Sequence, residues 1–120
     1  SIKLNRQADI QKIIEVSQAE KDSILVTVYD NGEIDQDTIS VYLDDEPVLL
    51  HRLITDKPLS FYLSLDKDQQ FQKMKMIAEN LGTVPPNTAV MIIKTKHTRY
   101  EVRLSSDLDK NAVVEFVLLE

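Results

Sequence analysis

Apolar and polar residues alternate along most of this chain, and a period of two residues predicts β-strands. The alternation is clearest from residue 59 to 65, where leucine or phenylalanine occupies every second position. Similar runs, separated by short polar turns, predict strands at 12–16, 24–29, 38–43, 48–54, 59–65, 89–94, 98–104 and 112–119. The sequence therefore predicts an all-β domain, an antiparallel β-sandwich of Ig-like or jelly-roll-like type with about eight or nine strands.

The segment from 66 to 82 fits two patterns. Phe71, Met74 and Leu81 fall at helical spacing, and Gly82 is of the residue type that often ends a helix. Met74 and Met76 also alternate with lysines in the manner of a strand. Spacing alone slightly favours a helix of about three turns and leaves the strand open.

Length and composition bound the class of protein. The 120 residues fit one domain, 1–120, and a hydrophobic content of 42% is sufficient for a single core. A net charge of −6 makes nucleic acid or an anionic lipid surface a poor partner. There is no cysteine and no apolar run long enough to span a bilayer. Because the sequence starts with serine rather than methionine, we expect a module of a longer protein.

The acidic loop between the predicted strands at 24–29 and 38–43 holds the largest group of candidate ligand side chains. Calcium prefers carboxylate and amide oxygens, and four side chains here offer them: Asp30, Asn31, Asp35 and Asp37. Their spacing does not follow the helical calcium-loop pattern. The alternative is turn chemistry, in which the same side chains bond the local backbone. Clustered negative charge favours a cation, so calcium remains a candidate cofactor.

Other candidate groups are few. We expect Tyr42 and Tyr62 to face outward, where two rings on one face would stack against a sugar. His51 and His97 are the only histidines, and zinc needs three or four clustered ligands. Neither glycine flanks a serine as in a nucleophile elbow, and no glycine-rich phosphate loop occurs. We therefore predict no catalytic residues and no enzyme.

Three segments carry a resemblance: 29–41 (YDNGEIDQDTISV), 78–89 (AENLGTVPPNTA) and 105–108 (SSDL). Together they resemble a β-rich domain of uncharacterised function that recurs in secreted and cell-envelope proteins of Bacteroidota. The resemblance implies a strand at 74–80 and a secreted, periplasmic or cell-envelope location. The family has glycine in place of Gln36 and an asparagine–glycine turn in place of Asp44 and Asp45. These departures predict turns that do not need a positive φ.

Two functions follow as hypotheses. The first is a non-catalytic structural or protein-interaction module of a secreted or cell-envelope protein. Its partners would be other domains of the parent chain or another envelope protein. The alternative is a calcium-dependent carbohydrate-binding module, with a polysaccharide as partner. Neither hypothesis involves nucleic acid or direct membrane insertion.

Overall fold

The computed structural model describes residues 3–30, 37–80 and 87–120, which form nine β-strands and no helix. The strands are β1 (Gln7–Val16), β2 (Ile24–Tyr29), β3 (Thr38–Leu43), β4 (Glu46–Leu53), β5 (Leu59–Leu63), β6 (Phe71–Ala78), β7 (Asn87–Lys94), β8 (Arg99–Ser106) and β9 (Lys110–Leu118). The all-β prediction is confirmed. β2 and β3 match the strands predicted at 24–29 and 38–43 residue for residue.

The strands form two sheets that pack face to face. The first sheet has the order β1-β9-β6-β3-β4, and the second has the order β5-β2-β7-β8. Neighbouring strands are antiparallel except β1 and β9, which run parallel. Alternate side chains of both sheets fill the space between them, among them the fully buried Val26, Met91, Met76 and Phe116. Period-two burial thus produces the two-layer core that the sequence predicts.

Segment 71–78 is a strand, as the resemblance implied, and the helix favoured by spacing alone is wrong. β6 pairs with β3 on one side and β9 on the other, so it lies inside the first sheet. Met74 and Met76 face the core, while Ile77 is buried on the opposite face. Burial on both faces near the end of β6 blurs the alternation and mimics a helical spacing.

β1 begins at Gln7, five residues before the predicted strand at 12–16. Its register with β9 shifts between Ile10 and Lys12, so Gln11 is the extra residue of a bulge. The bulge moves the apolar positions out of phase, which hides the first half of the strand from a period-two pattern. The N-terminal strand therefore pairs within this molecule and covers the edge of β9.

The hairpin between β3 and β4 corrects a second expectation. Leu43 pairs with Glu46, which leaves a two-residue turn, and Asp44 adopts a φ of 51°. The prediction that this turn avoids positive φ is wrong, because two-residue hairpin turns that match strand twist require it. Asp44 is held there by β6: its N–H donates to the Lys73 carbonyl, and its Oδ1 accepts from the Lys73 N–H. Gln36, the other departure from the family pattern, lies outside the described residues.

Candidate functional site

Asp30 and Asp37, two of the four predicted calcium ligands, lie at the same end of the sandwich. Asp30 directly follows β2 and Asp37 directly precedes β3. The Asp30 N–H donates to the Thr55 carbonyl at 2.8 Å, and the Asp37 carbonyl accepts from the Ile54 N–H at 2.9 Å. The two aspartates are thus tied to adjacent residues of the segment between β4 and β5. Asn31 and Asp35, the other two predicted ligands, lie outside the residues that the structure describes.

The aspartates point inward rather than into solvent. Side chains at every second position of a strand face the core, and each aspartate extends this inward-facing series by one more position. Asp30 comes two residues after Val28, and Asp37 comes two residues before Ile39. Asn87 at the start of β7 and Ser106 at the end of β8 do the same. Relative exposures are 5% for Asp30, 1% for Asp37, 0% for Asn87 and 1% for Ser106. We name these four residues the polar end cluster.

Hydrogen bonds fix the position of Asn87 within this cluster. Its Nδ2 donates to the carbonyl oxygen of Asn80 at 2.5 Å and lies 3.5 Å from that of Thr38. Asn80 Oδ1 in turn accepts from the Thr38 N–H at 2.9 Å. Asn87 is also the cross-strand partner of Ser106. The asparagine therefore joins the ends of β3, β6, β7 and β8.

Sequence reasoning found the two aspartates by their charge and missed Asn87 and Ser106. A signal was nevertheless present, because an inward apolar row that ends in a polar residue marks a polar layer beneath the sandwich end. A separate cavity of about 250 Å³ lies against β7 and β8, and neither Asn87 nor Ser106 is among the residues that line it. It is lined by Thr88, Ala89, Val90, Arg103, Leu104 and Ser105.

Tyr42 and Tyr62, the predicted stacking pair, do not form one surface. Tyr42 lies on β3 of the first sheet and Tyr62 on β5 of the second. Each alternates with inward residues of its own strand, so the rings face opposite sides of the sandwich. Tyr62 is 75% exposed and has no second tyrosine from that pair beside it. The geometry removes the two-ring platform on which the sugar hypothesis depended.

Ser40, His51 and Glu79 meet on the outer face of the first sheet, a constellation that sequence reasoning also missed. Ser40 Oγ donates to Glu79 Oε2 and accepts from the backbone N–H of His51 at 3.0 Å. His51 Nδ1 lies 3.6 Å from the same Glu79 oxygen, and Lys3 Nζ donates to Glu79 Oε1. Ser40 lies on the outward side of β3 and is nevertheless fully buried, because these groups cover it.

The arrangement differs from a nucleophilic triad in its donors and its access. The Ser40 proton is directed at a carboxylate rather than at an imidazole nitrogen, and the hydroxyl is shielded from solvent. Burial alone would raise the pKa of the Glu79 carboxyl. The hydrogen bonds from Lys3 and Ser40 and the Lys3 charge outweigh burial, so the pKa lies below its ordinary value. Glu79 is therefore a charged anchor that joins the N-terminal segment to β3 and β4.

His51 owes its position to an irregular edge strand. β4 carries two register shifts against β3, and His51 adopts a φ of 49°. Bulges, Pro47 and exposed charge on β4 are the features by which edge strands resist pairing with another chain. His97 lies between β7 and β8 and donates its N–H to Glu20. Within the described ranges, no three histidine, aspartate or glutamate side chains cluster as metal ligands.

Exposed apolar side chains gather on the outer face of the first sheet. Phe71 on β6 pairs with Val117 on β9, and Ile13 on β1 lies one row further along β9. Ile13 is 59% and Phe71 is 56% exposed. Glu115 pairs with both Ile13 and Lys73, so charged residues lie among the apolar ones. We name Ile13, Phe71, Val117, Glu115 and Lys73 the outer strip.

The opposite end of the sandwich carries an acidic recess of about 580 Å³. Its carboxylates already accept local hydrogen bonds: Asp44 from the Lys73 N–H, and Asp66 from the Asp68 N–H. Gln72 is buried beneath them with its amide bonded to the backbone of Asp66 and Gln69. This recess is explained by turn chemistry.

Comparisons with known proteins add no relative. No family model, curated protein or solved structure matches this chain. Among the described residues, no helix has the length and apolarity needed to cross a bilayer.

Proposed function

We propose that this domain is a non-catalytic structural or protein-interaction module of a secreted or cell-envelope protein. Its partner is another domain of the parent chain or a second envelope protein, and it binds through the outer strip. The observation that carries the proposal is the pair of large apolar side chains, Ile13 and Phe71, held exposed on strands of the first sheet.

The composition of the outer strip suits a protein partner. Non-obligate interfaces mix apolar and charged surface, and phenylalanine is enriched among their contact residues. Phe71 and Val117 supply adjacent apolar area, while Glu115 and Lys73 supply opposite charges in the next row. Such a surface binds a partner by burying its apolar side chains and by matching Glu115 and Lys73 with opposite charges on the partner.

The strip is also rigid before any partner arrives. β9 lies between β1 and β6, and each of the three strands packs core residues on its inner face. Ordering side chains and loops costs free energy on association, so a surface on paired strands loses less than a loop does. A structural module benefits from the same property, because it presents its neighbour in one orientation.

The location is supported by the motif resemblance alone. Segments 29–41, 78–89 and 105–108 resemble a β-rich domain of Bacteroidota envelope proteins. Fractionation of the source cells with an antibody to this domain tests the location. We expect the domain in the envelope or the medium, and recovery in the cytosol alone would contradict the proposal.

Site-specific photo-crosslinking in the source cells tests the interaction. A photoreactive phenylalanine analogue replaces Phe71 in one variant and Ile13 in another, within the full parent protein. Tyr62 is the matched control, because it is also exposed but faces the opposite side of the sandwich. We expect one discrete adduct from positions 13 and 71 and none from 62. Equal adducts from all three positions, or none from 13 and 71, would overturn the proposed surface.

The alternative function, a calcium-dependent carbohydrate-binding module, has a supporting observation for the calcium site but none for the sugar-stacking surface. Asp30 and Asp37 lie buried at one end of the sandwich, whereas Tyr42 and Tyr62 face opposite sides.

A further inference from the structure

We propose that the polar end cluster, Asp30, Asp37, Asn87 and Ser106, binds a calcium ion inside the end of the sandwich. This inference does not depend on the partner proposed for the outer strip, which lies on a different surface. The ligand set differs from the loop site expected from sequence. It joins two aspartates from the ends of that loop to two neutral oxygen donors from β7 and β8.

The first step of the argument is convergence. β2 and β7 are neighbours in the second sheet, and β7 and β8 are neighbours in turn. β2, β3, β7 and β8 place their cluster residues at the same end, since β2 and β8 finish where β3 and β7 begin. The Asn80 and Thr38 contacts of Asn87 connect that residue across the sandwich to the chain that follows Asp37. Four inward oxygen-bearing side chains therefore cap one end of the apolar core.

The second step is the hydrogen bonding of the two uncharged residues of the cluster, Asn87 and Ser106. Among the residues that the structure describes, neither Asn87 Oδ1 nor Ser106 Oγ has a hydrogen-bond partner. Both atoms are buried, and buried polar atoms in folded proteins are nearly always paired. Asn87 cannot relieve this by flipping its amide without loss, because Nδ2 already donates to the Asn80 carbonyl. Asn87 Oδ1 and Ser106 Oγ therefore each have lone pairs that can bind a cation.

The third step is chemistry. All four side chains offer oxygen ligands, and none carries an imidazole nitrogen or a sulfur atom. Such a set selects a hard cation. Two carboxylates match the charge of a divalent ion. Each carboxylate has two oxygens, so it can accept local hydrogen bonds and still coordinate a metal. Calcium tolerates irregular sets of six to eight carboxylate, amide, backbone and water oxygens, whereas magnesium demands a near-ideal octahedron.

Thermal unfolding and calorimetry of the chelator-treated protein test the site. Titration with calcium chloride is expected to raise the Tm in a saturable way, because the ion binds only the folded state. Calorimetry is expected to show one site, with a weaker response to magnesium. An unchanged Tm and no heat with either ion would overturn the proposal. A response to magnesium that equals or exceeds that to calcium would overturn the assignment of calcium.

Substitutions then locate the site. Asp37→Asn and Asp30→Asn are expected to weaken calcium binding at least about tenfold, as loss of a metal-site partner does. Asp45→Asn, the same change of charge at an exposed position at the other end, is expected to leave binding unchanged. Full calcium affinity in both cluster variants would overturn the proposal, since the ion would then lie elsewhere.

A milder variant guards against loss of folding. Ser106→Ala removes one oxygen with little change of volume, and it is expected to reduce calcium affinity while the domain stays folded. Terbium emission sensitised by Tyr29, the neighbour of Asp30, gives a second readout of occupancy in the same variants. We expect calcium to displace terbium, and we expect the emission to weaken in Ser106→Ala. Emission that is equal in wild type, Ser106→Ala and Asp37→Asn would contradict the assigned ligands.

Discussion

The side-chain amide of Gln11 pairs with both backbone polar atoms of Ser105. Gln11 Nε2 donates to the Ser105 carbonyl at 2.9 Å, and Gln11 Oε1 accepts from the Ser105 N–H at 3.1 Å. β1 belongs to the first sheet and β8 is an edge strand of the second. The Gln11 side chain therefore pairs with backbone groups at the free edge of β8, as a neighbouring strand would, and links the two sheets.

Replacing Gln11 with alanine is expected to lower the free energy of unfolding by about 1–3 kcal/mol, because three hydrogen bonds are lost together, two to the Ser105 backbone and one to the Asp9 carboxylate. Urea unfolding measures the change. Gln18→Ala is the control, since Gln18 is exposed and donates a single hydrogen bond, to the Leu119 carbonyl. Equal losses in the two variants would contradict a special role for Gln11.

The sequence predicts a strand accurately when its apolar residues keep to the same alternate positions along its whole length. This holds for β2 and β3, and their bounds follow from pattern alone. β1 changes phase at Gln11, and β6 is buried on both faces near Ile77, so both patterns are blurred. Neither a bulge nor two-sided burial is visible before the neighbouring strands are known.

The candidate site was predictable in part for a related reason. Charge identified Asp30 and Asp37, which are close in sequence. Asn87 joins them through a contact with Thr38, and Ser106 joins Asn87 through strand pairing, so both depend on the tertiary fold. Alternation likewise predicts that Tyr42 and Tyr62 face outward. It does not reveal that their strands belong to different sheets.

Two substitutions on β6 test the strand directly. Met76→Ala is expected to cost about 2–5 kcal/mol of unfolding free energy, because a fully buried side chain leaves a cavity. Phe71→Ala, on the outer strip, is expected to cost less than about 1 kcal/mol. Chemical denaturation of both variants provides the comparison. A larger loss from Phe71 than from Met76 would mean that β6 presents the opposite face to the core.

The positive φ of Asp44 leads to a prediction at the β3–β4 hairpin. Asparagine tolerates this conformation and retains an oxygen that can accept from the Lys73 N–H, so Asp44→Asn is expected to preserve stability. Asp44→Ala loses the acceptor and bears the strain, and we expect a cost of about 1–2 kcal/mol. Thermal unfolding, with Asp45→Ala as control in the same turn, measures both. Equal stability of Asp44→Ala and Asp44→Asn would refute the assigned turn.

The anchor formed by Glu79 predicts how stability depends on pH. Its pKa in the folded state lies below the ordinary value of 4.5, so the folded state binds fewer protons than the unfolded state in that range. The stability that Glu79 contributes is therefore present above pH 4.5 and is lost as the pH falls through the folded-state pKa. Loss of the anchor releases Lys3 and Ser40 together, since each contacts one of its oxygens.

Glu79→Gln is accordingly expected to unfold more easily than wild type at pH 7, by about 1–3 kcal/mol, as for hydrogen bonds to a charged group. The difference is expected to shrink as the pH falls below 4.5, because the wild-type carboxyl then loses its charge as well. Urea unfolding of both proteins across this pH range measures the difference. Glu101→Gln makes the same change of charge at an exposed position of β8 and serves as the control. A difference between Glu79→Gln and wild type that stays constant or widens toward acid would show that the charge of Glu79 does not hold the anchor.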